Sequence, residues 1–406
     1  MRGIIMILLG VIGLSLPVSA QINAKVYQSA HQIDTLKEGE LSFELDNISF
    51  FKDNEFAGGI QKGYSLPGFW IQPKLVYYPL KRIKLELGAH LLRYWGANKY
   101  PCYAYHDIPQ WSGEQYQRGF HALPWFRAQV DLSERFRVVL GDIYGGANHG
   151  LIEPLYNPEL NLTSDPEAGL QVLYDAPFMN LDVWVNWQSF IFREDTHQEA
   201  FLVGLSSRFK LNPESKPFHF YLPLQATIQH CGGEIDTVYT HSVQTLMNAT
   251  VGVGGVWNIA HRVMNRIGME ADFALSYQQA GELWPFDSGT GFYVRTYADL
   301  KDFRVKAGYW RCHDFVSLMG SPFYGALSFK DEGTLFHSPQ MAILGLEYAR
   351  SLGHGFSIGA DVDVYCHLKG NKTTAEGEYL PTSSATSFSA GVYLRVNPSF
   401  LLWKKK

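Results

Sequence analysis

Charged side chains recur at every second position in several segments of the chain, and these residues could act on a polar solute. Successive residues of a β-strand point to opposite faces, so each set would share one face. The basic members are Arg82, Lys84, Arg127, Arg135 and Arg137, and the acidic members are Asp299, Asp361 and Asp363. Around a water-filled pore, facing arcs of opposite charge would orient polar solutes, with a mild preference for anions at the basic early segments. The same groups could instead only pair and stabilise a hydrated wall.

A long insertion, 143–167, follows one of the basic segments and contains several prolines and a Gly-Gly pair. We expect it to fold inward and to set the size limit of the pore. Its candidate constriction residues are His149, Glu153, Asp165 and Glu167. The alternative, that the insertion only covers the rim, is left open.

Aromatic side chains are frequent in the other long connections. Candidates for stacking on sugar rings are Trp95, Tyr103, Trp111 and Trp284. Such residues also pack loop on loop or lie in the interfacial belts of membrane proteins. Saccharide contact is therefore one of two interpretations.

Hydrolytic chemistry has scattered candidates but no local motif. The candidate bases are His149, His241, His261, His313, His337, His354 and His367, and the candidate nucleophiles are Ser242, Ser317 and Ser338. The sequence contains no G-x-S-x-G elbow, no H-E-x-x-H pair and no phosphate loop. We therefore predict that the chain is not an enzyme and uses neither metal nor cofactor. A lipase- or deacylase-like barrel, or a barrel that binds a partner with its long loops, is the alternative.

The elements that must position these residues are alternating strands. The stretch 293–310 reads as two such runs joined at Lys301 and Asp302, with apolar residues on one face and charged residues on the other. The pattern recurs along the chain, and short turns alternate with long loops. This predicts an all-β fold, a transmembrane antiparallel β-barrel of about 16 strands.

Composition supports this fold class. The chain has 406 residues, a net charge of -5 and 15% aromatic residues, which suits aromatic belts at two interfaces. Its mean hydropathy of -0.12 argues against a helical membrane protein. The slightly acidic balance gives no support to nucleic-acid binding. Four scattered cysteines leave disulfides and free thiols equally open.

The predicted domain bounds follow from the same patterns. Residues 1–20 have a basic start, an apolar run and a small-residue end, which predicts a cleaved signal peptide, with an uncleaved anchor as the alternative. Residues 21–39 form a lead-in, 40–397 the barrel, and 398–406 a C-terminal tail in which Phe400 or Trp403 could be the terminal aromatic residue.

The whole arrangement resembles the porin-like outer-membrane β-barrels of bacteria with two membranes. The resemblance implies an outer-membrane location, short periplasmic turns and long external loops. It also implies contact with outer-membrane lipid and passive or weakly selective diffusion of small hydrophilic solutes, such as saccharides or anions. A homo-oligomer or an envelope protein partner is left open. A secreted soluble β-protein is disfavoured, because it would expose too many aromatic side chains to water.

Overall fold

Strands dominate the computed structural model, which describes residues 22–95, 120–190, 198–233, 243–259 and 261–405. The strands are β1 Glu40–Glu55, β2 Tyr64–Leu80, β3 Ile83–Tyr94, β4 His121–Asp131, β5 Phe136–Asp142, β6 Ala168–Ala176, β7 Met179–Ser189, β8 Ala200–Lys210, β9 Phe218–Cys231, β10 Gln244–Asn258, β11 Met264–Ala280, β12 Ser288–Leu300, β13 Phe303–His313, β14 Leu335–His337, β15 Gln340–Gly353, β16 Phe356–His367, β17 Gly370–Thr373, β18 Tyr379–Thr382, β19 Ala385–Val396 and β20 Ser399–Lys404. Short helical turns are Asn23–Tyr27, Thr35–Lys37, Gly146–His149, Leu160–Thr163 and Pro322–Tyr324. Among these described residues, no helix is long and apolar enough to cross a membrane.

The large sheet is antiparallel and closes on itself. Its first strand, β1, pairs with β2 on one side and with β19 and β20 on the other. Because β19 meets residues 47–55 of β1 and β20 meets residues 40–44, these two strands occupy one position, and the barrel has 16 positions. The predicted all-β antiparallel barrel of about 16 strands is confirmed.

The C-terminal residues extend the barrel beyond its predicted end. The sequence predicts a tail at 398–406, whereas Ser399–Lys404 is strand β20 and pairs with the start of β1. The ladder is interrupted at Asn397 and Pro398, since proline has no backbone N–H to donate. The closing strand therefore consists of two pieces.

Alternation along the strands gives the barrel an apolar outer face and a largely polar inner face. In β13, Phe303 and Val305 are exposed while Arg304 between them is buried. The same outward exposure is shared by Leu344, Leu346, Val362, Phe388, Val392 and Leu394. Because such a band is stable only against hydrocarbon, it is the lipid-facing belt of an outer-membrane barrel.

Short turns join the strands at one end of the barrel and long loops join them at the other. At the turn between β15 and β16, His354 and Gly355 have φ values of 53° and 81°. Two positive φ values are what a tight two-residue hairpin requires, and they aim β16 back along β15. The short turns are periplasmic and the long loops external, as predicted.

An N-terminal segment, residues 22–39, enters the lumen near its periplasmic end. The backbone N–H of Ile22 donates to Glu347 on β15 at 3.2 Å. On β19, Arg395 donates to the carbonyl oxygens of Val26 at 2.8 Å and Gln28 at 2.5 Å. The predicted lead-in is therefore packed inside the barrel.

Two external loops also enter the lumen. The lumen loop, residues 143–167, contacts the wall at β9, where Gln225 accepts from the backbone N–H of Ile152 at 3.0 Å. The rim loop, residues 314–339, is held by Asn248 of β10, which accepts from the N–H of Leu318 at 2.6 Å. The two loops touch where the Ser317 hydroxyl donates to the Pro154 carbonyl at 2.7 Å.

Together the three segments give this barrel an apolar core inside its polar wall. Val26, Leu160 and Leu318, one residue from each segment, belong to a single buried cluster. Burial of these side chains fixes the segments to one another as in a soluble protein core. In the part of the chain that the structure describes, the lumen thus contains packed protein segments inside the wall.

Candidate functional site

The early basic residues of the wall surround one carboxylate. Glu86 on β3 lies 2.6 Å from Lys84, 3.2 Å from Lys74 and 3.4 Å from Arg127. The Arg127 side chain also donates to the carbonyl oxygen of Ile143 at 2.8 Å, which anchors the start of the lumen loop. Lys84 and Arg127 therefore point inward and are paired, and their role as pore-lining residues stays a prediction.

Arg137 and Asp299 also lie on the inner wall in ion pairs. Arg137 is 2.5 Å from Asp175. Asp299 is 2.6 Å from Arg266 and 2.5 Å from Arg304. These contacts match the interpretation in which opposite charges stabilise the wall.

The last two predicted wall carboxylates, Asp361 and Asp363, have different partners. Asp361 accepts from the Tyr393 hydroxyl at 3.0 Å, and Asp363 lies 3.0 Å from Lys306. Both carboxylates are on β16 and face the lumen. Their role in solute passage stays a prediction.

Two residues predicted to line the pore lie elsewhere. Arg82 and Arg135 are exposed in the turns that precede β3 and β5, because those strands begin only at Ile83 and Phe136. Alternation places a residue on a face only within the strand itself. The prediction that Arg82 and Arg135 belong to a basic arc on the inner wall is therefore wrong.

The lumen loop contributes His149 and Glu167 to a buried histidine cluster. Asp182 and Trp184 of β7 complete this histidine cluster. His149 contacts Asp182 through Nδ1 at 2.7 Å and Glu167 through Nε2 at 3.2 Å. Its ring stacks on Trp184 with centroids 3.5 Å apart. Burial alone would lower the pKa of His149, but attraction by the two carboxylates raises it to about 9.

The other predicted constriction residues are also paired. Glu153 lies 3.4 Å from Arg295, and Asp165 lies 2.9 Å from His121. The loop lies inside the lumen, as one of the two sequence interpretations predicted. A role of these residues in setting a size limit stays a prediction.

The predicted sugar-stacking residues are not brought together. Trp95 is exposed at the end of β3 beside the Arg93 guanidinium, whereas Trp284 is buried in the lumen core. Tyr103 and Trp111 lie outside the described residues. A shared aromatic platform is therefore not formed by Trp95 and Trp284.

A serine, a histidine and a carboxylate meet at the external end of β13. The His313 ring lies 3.2 Å from the Ser338 hydroxyl through Nδ1 and 3.4 Å from the Asp314 carboxylate through Nε2. With its proton on Nε2, His313 can accept from the Ser338 hydroxyl at Nδ1, while the Asp314 carboxylate lies within ion-pair distance of Nε2. This is the arrangement that activates a serine as a nucleophile.

Backbone geometry holds the two partners of His313 in place. Asp314 and Ser338 have φ values of 51° and 48°, which are uncommon for residues with a side chain. The Asp314 turn packs so closely on Gly289 that a Cβ at position 289 would lie 2.1 Å from the Asp314 carbonyl oxygen. The strand ends of β12 and β13 thus fix the carboxylate beside the imidazole.

The triad faces outward, at the height of the external membrane interface. The His313 side chain is 68% exposed, and alternation puts it on the same face as Arg311 and Phe303. Phe303 packs against Tyr348 near the periplasmic turns. Ten residues at a rise of about 3.4 Å and a tilt of about 40° place His313 about 26 Å above Phe303, at the top of an apolar band about 25 Å tall.

Other described histidines pair with hydroxyl groups but lack the carboxylate partner that His313 has. These pairs are His230 with Thr245, His337 with Thr373 and His367 with Ser387. Within the described ranges, none of these three histidines has a carboxylate within ion-pair distance. The described residues also contain no group of three or more histidine, cysteine, aspartate or glutamate side chains arranged to hold a metal ion.

Sequence reasoning named His313 and Ser338 as scattered candidates but missed their pairing. The two residues are 25 positions apart and meet because the rim loop returns to the start of β15. Alternation along β13 would have placed His313 on the outer face. No local motif signals the contact with Ser338.

Comparison with known proteins gives one family match. The model of the lipid A 3'-O-deacylase-type family matches residues 33–405. No curated protein matches the sequence. The prediction that the chain is not an enzyme is therefore wrong, because the matched family is one of deacylases.

Solved structures with a similar fold are outer-membrane barrels. OccAB3 of Acinetobacter baumannii has 10% identity and a TM-score of 0.47 over 89% of this chain and 99% of its own. OprB of Pseudomonas putida has 9% identity and a TM-score of 0.48 over 89% and 94%. OprD of Pseudomonas aeruginosa has 8% identity and a TM-score of 0.44 over 90% and 95%.

Proposed function

The chain belongs to the lipid A 3'-O-deacylase-type family, and on this premise we propose that it hydrolyses an acyl ester of lipid A in the external leaflet of the outer membrane. The observation that carries the proposal is the triad of Ser338, His313 and Asp314 on the outer face. An ester of a membrane lipid lies where hydrocarbon meets the polar headgroups. The triad lies at that height on the barrel wall.

The chemistry assigns one role to each residue. Ser338 Oγ attacks the ester carbonyl while Nδ1 of His313 accepts its proton. Asp314 stabilises the imidazolium through Nε2–H. Collapse of the tetrahedral intermediate breaks the ester bond, and His313 returns the proton to the departing sugar oxygen. A water molecule, deprotonated by His313, then hydrolyses the acyl-serine and releases the fatty acid.

Charge near the triad suits an anionic amphiphile. Arg311 precedes His313 by two positions on the same outward face, about 7 Å along the strand. It is exposed at the upper edge of the apolar band and would attract negative groups on the lipid headgroup. The acyl chains of a bound lipid would then lie against the apolar belt below.

The direct test is the Ser338→Ala variant, with Ser351→Ala, at the periplasmic end of β15, as the matched control. Lipid A is incubated with each purified protein in mixed micelles and analysed by mass spectrometry. We expect wild type and Ser351→Ala to remove one acyl chain, and Ser338→Ala to lose at least about 1,000-fold in rate. Full activity in Ser338→Ala would assign the reaction to another pair, such as His121 and Asp165.

A diffusion channel for small hydrophilic solutes is the second candidate. The inward charged side chains support it, because a hydrated lumen would need such a wall. Passage would require movement of the lumen loop and the rim loop, which are hydrogen-bonded to each other and to the wall. We expect no conductance steps when the protein is reconstituted in planar bilayers. Stable conductance steps would instead support the channel function.

A further inference from the structure

One charge of the proposed reaction has no partner among Ser338, His313 and Asp314. When Ser338 Oγ attacks an ester, the carbonyl oxygen becomes an oxyanion. Hydrolases stabilise this oxygen with hydrogen-bond donors that are already in place before the reaction. His313 and Asp314 handle the serine proton, so the donor must come from another residue beside Ser338 on the outer face.

Two rows of outer-face residues, one on β13 and one on β15, contain the triad and its neighbours. Arg311 lies directly opposite Gln340 in the antiparallel register. The ladder continues past the start of β15, where the next N–H of β13 donates to the Pro339 carbonyl at 3.1 Å. The same register puts His313 opposite Ser338, and their side chains are 3.2 Å apart. Gln340 is thus the next outer-face residue after Ser338, about 7 Å toward the periplasm.

The amide of Gln340 is oriented by a tyrosine of β13. The Tyr309 hydroxyl donates to Gln340 Oε1 at 2.7 Å. Tyr309 lies opposite Ala342, so it is one step nearer the periplasm than Gln340. The oxygen and nitrogen of an amide leave the same carbon in different directions, so an oxygen turned toward Tyr309 leaves Nε2 turned away from it. Among the described residues, Nε2 has no hydrogen-bond partner and keeps both of its N–H donors.

Resting on the deacylase function proposed above, we infer that Gln340 Nε2 donates to the oxyanion and that Tyr309 positions this amide. An acyl chain lying against the apolar belt runs from the carbonyl at Ser338 toward the periplasm. It crosses the level of Gln340 first and then meets the exposed Leu344 on the same face of β15. The ester carbonyl is thereby held between the serine hydroxyl and the amide.

The amide acts without giving up a proton. As the bond from Ser338 Oγ to the carbonyl carbon forms, the π electron pair of the carbonyl moves onto its oxygen, and the Gln340 N–H hydrogen-bonds that oxygen. When the pair returns, the bond to the departing sugar oxygen breaks. The hydrogen bond is strongest while the oxygen carries its charge, so it lowers the barrier rather than tightening substrate binding.

Arg311 is the other donor at this level, and it suits a different task. Its side chain is exposed, and among the described residues nothing holds its guanidinium. A free charge attracts an anionic headgroup equally before and during the reaction, whereas a transition state is stabilised by a donor held in advance. Gln340, fixed by Tyr309, meets the second condition.

The first test is Gln340→Met, with Gln279→Met as control, an exposed glutamine near the external end of β11. Turnover of lipid A in mixed micelles gives kcat and KM. We expect kcat to fall at least about 100-fold with KM unchanged, since methionine keeps the length but has no donor. Gln340→Glu, which can still accept from Tyr309 but has no N–H, should lose as much. A wild-type kcat in either variant, or a larger loss in Arg311→Ala, would overturn the assignment.

An alkyl boronic acid reports the oxyanion site without turnover, because it forms a tetrahedral adduct with a serine oxygen. We expect its inhibition constant to rise in Gln340→Met by about the factor by which kcat falls. A role in packing alone would not link these two quantities. An unchanged inhibition constant would therefore overturn the assignment.

The positioning role of Tyr309 is tested by Tyr309→Phe in two backgrounds, with Tyr277→Phe, an exposed tyrosine of β11, as control. We expect kcat to fall about tenfold in the wild-type background and not at all in Gln340→Met, because the tyrosine acts only through the amide. Equal losses in both would overturn the positioning role. Full activity in Ser338→Ala would overturn the nucleophile and Gln340 with it. Loss in Ser338→Ala with full activity in Gln340→Met would remove Gln340 alone.

Discussion

Two histidines of this barrel, His149 in the lumen and His313 on the outer face, differ in what their second ring nitrogen meets. In the lumen both nitrogens of His149 face carboxylates, and the pKa of the ring is raised to about 9. On the outer face one nitrogen of His313 faces a carboxylate and the other a hydroxyl. A histidine held protonated at neutral pH cannot accept a proton, so the lumen cluster is structural, whereas the outer one can act as a base.

The substitution His313→Gln tests most directly whether the outer histidine acts as a base. We expect about a 1,000-fold loss in the rate of lipid A deacylation, because glutamine keeps a polar group but cannot take the serine proton. Stability should be unaffected, since this side chain is 68% exposed. Rates from mass spectrometry and urea unfolding in detergent measure both. A variant that keeps its rate would remove His313 from the mechanism.

The converse substitution, His149→Gln, should act on stability. It leaves Asp182 and Glu167 without their shared cation in a buried site, which costs about 3–5 kcal/mol in the free energy of unfolding. The rate per folded molecule at saturating lipid should match that of wild type. Urea unfolding of the refolded barrel is the measurement. An unchanged midpoint would mean that the cluster is hydrated and adds nothing.

A smaller effect on the rate is expected from Asp314→Asn. The asparagine keeps the size of the side chain but cannot stabilise the imidazolium, so we expect kcat to fall about 100-fold with KM unchanged. Glu332→Gln, an exposed carboxylate elsewhere in the rim loop, is the control. Equal rates in the two variants would show that His313 works without its carboxylate.

The smallest effect is the pH dependence of stability. The pKa of His149 is raised in the folded state, so its contribution of up to about 3 kcal/mol is complete below about pH 6.5 and is lost as pH rises through about 9. The pKa of Glu167 is lowered: burial would raise it, but His149 outweighs burial, so its contribution is lost as pH falls below its usual range. Unfolding free energies from pH 7 to 10 should fall for wild type. The same curve in His149→Gln would contradict the assignment.

The fold follows from patterns that the sequence carries locally. Alternation between Phe303, Arg304 and Val305 repeats in strand after strand, and each repeat needs only its nearest neighbours to show which face is apolar. The same pattern does not show where a strand begins, so Arg82 and Arg135 were assigned to the wall although they lie in turns. Strand ends are set by hairpin geometry and tertiary contacts.

The site could not be predicted for a different reason. His313 and Ser338 are neighbours only because the rim loop leaves β13, packs in the lumen and returns at β15. Nothing in the residues around either one encodes this path. The filling of the lumen also depends on long-range contacts, such as those between Ile22 and Glu347, to which strand alternation gives no guide.

Arg395 has a consequence for the order in which the barrel assembles. It lies on β19 and joins the N-terminal segment to Asp46 on β1, at 2.8 Å, across the seam where the first and last strands meet. Arg395 and Asp46 are 349 positions apart, so closing the seam is a strongly non-local step, and non-local pairing is slow. Arg395 can complete its contacts with β1 and the N-terminal segment only once the first and last strands have met.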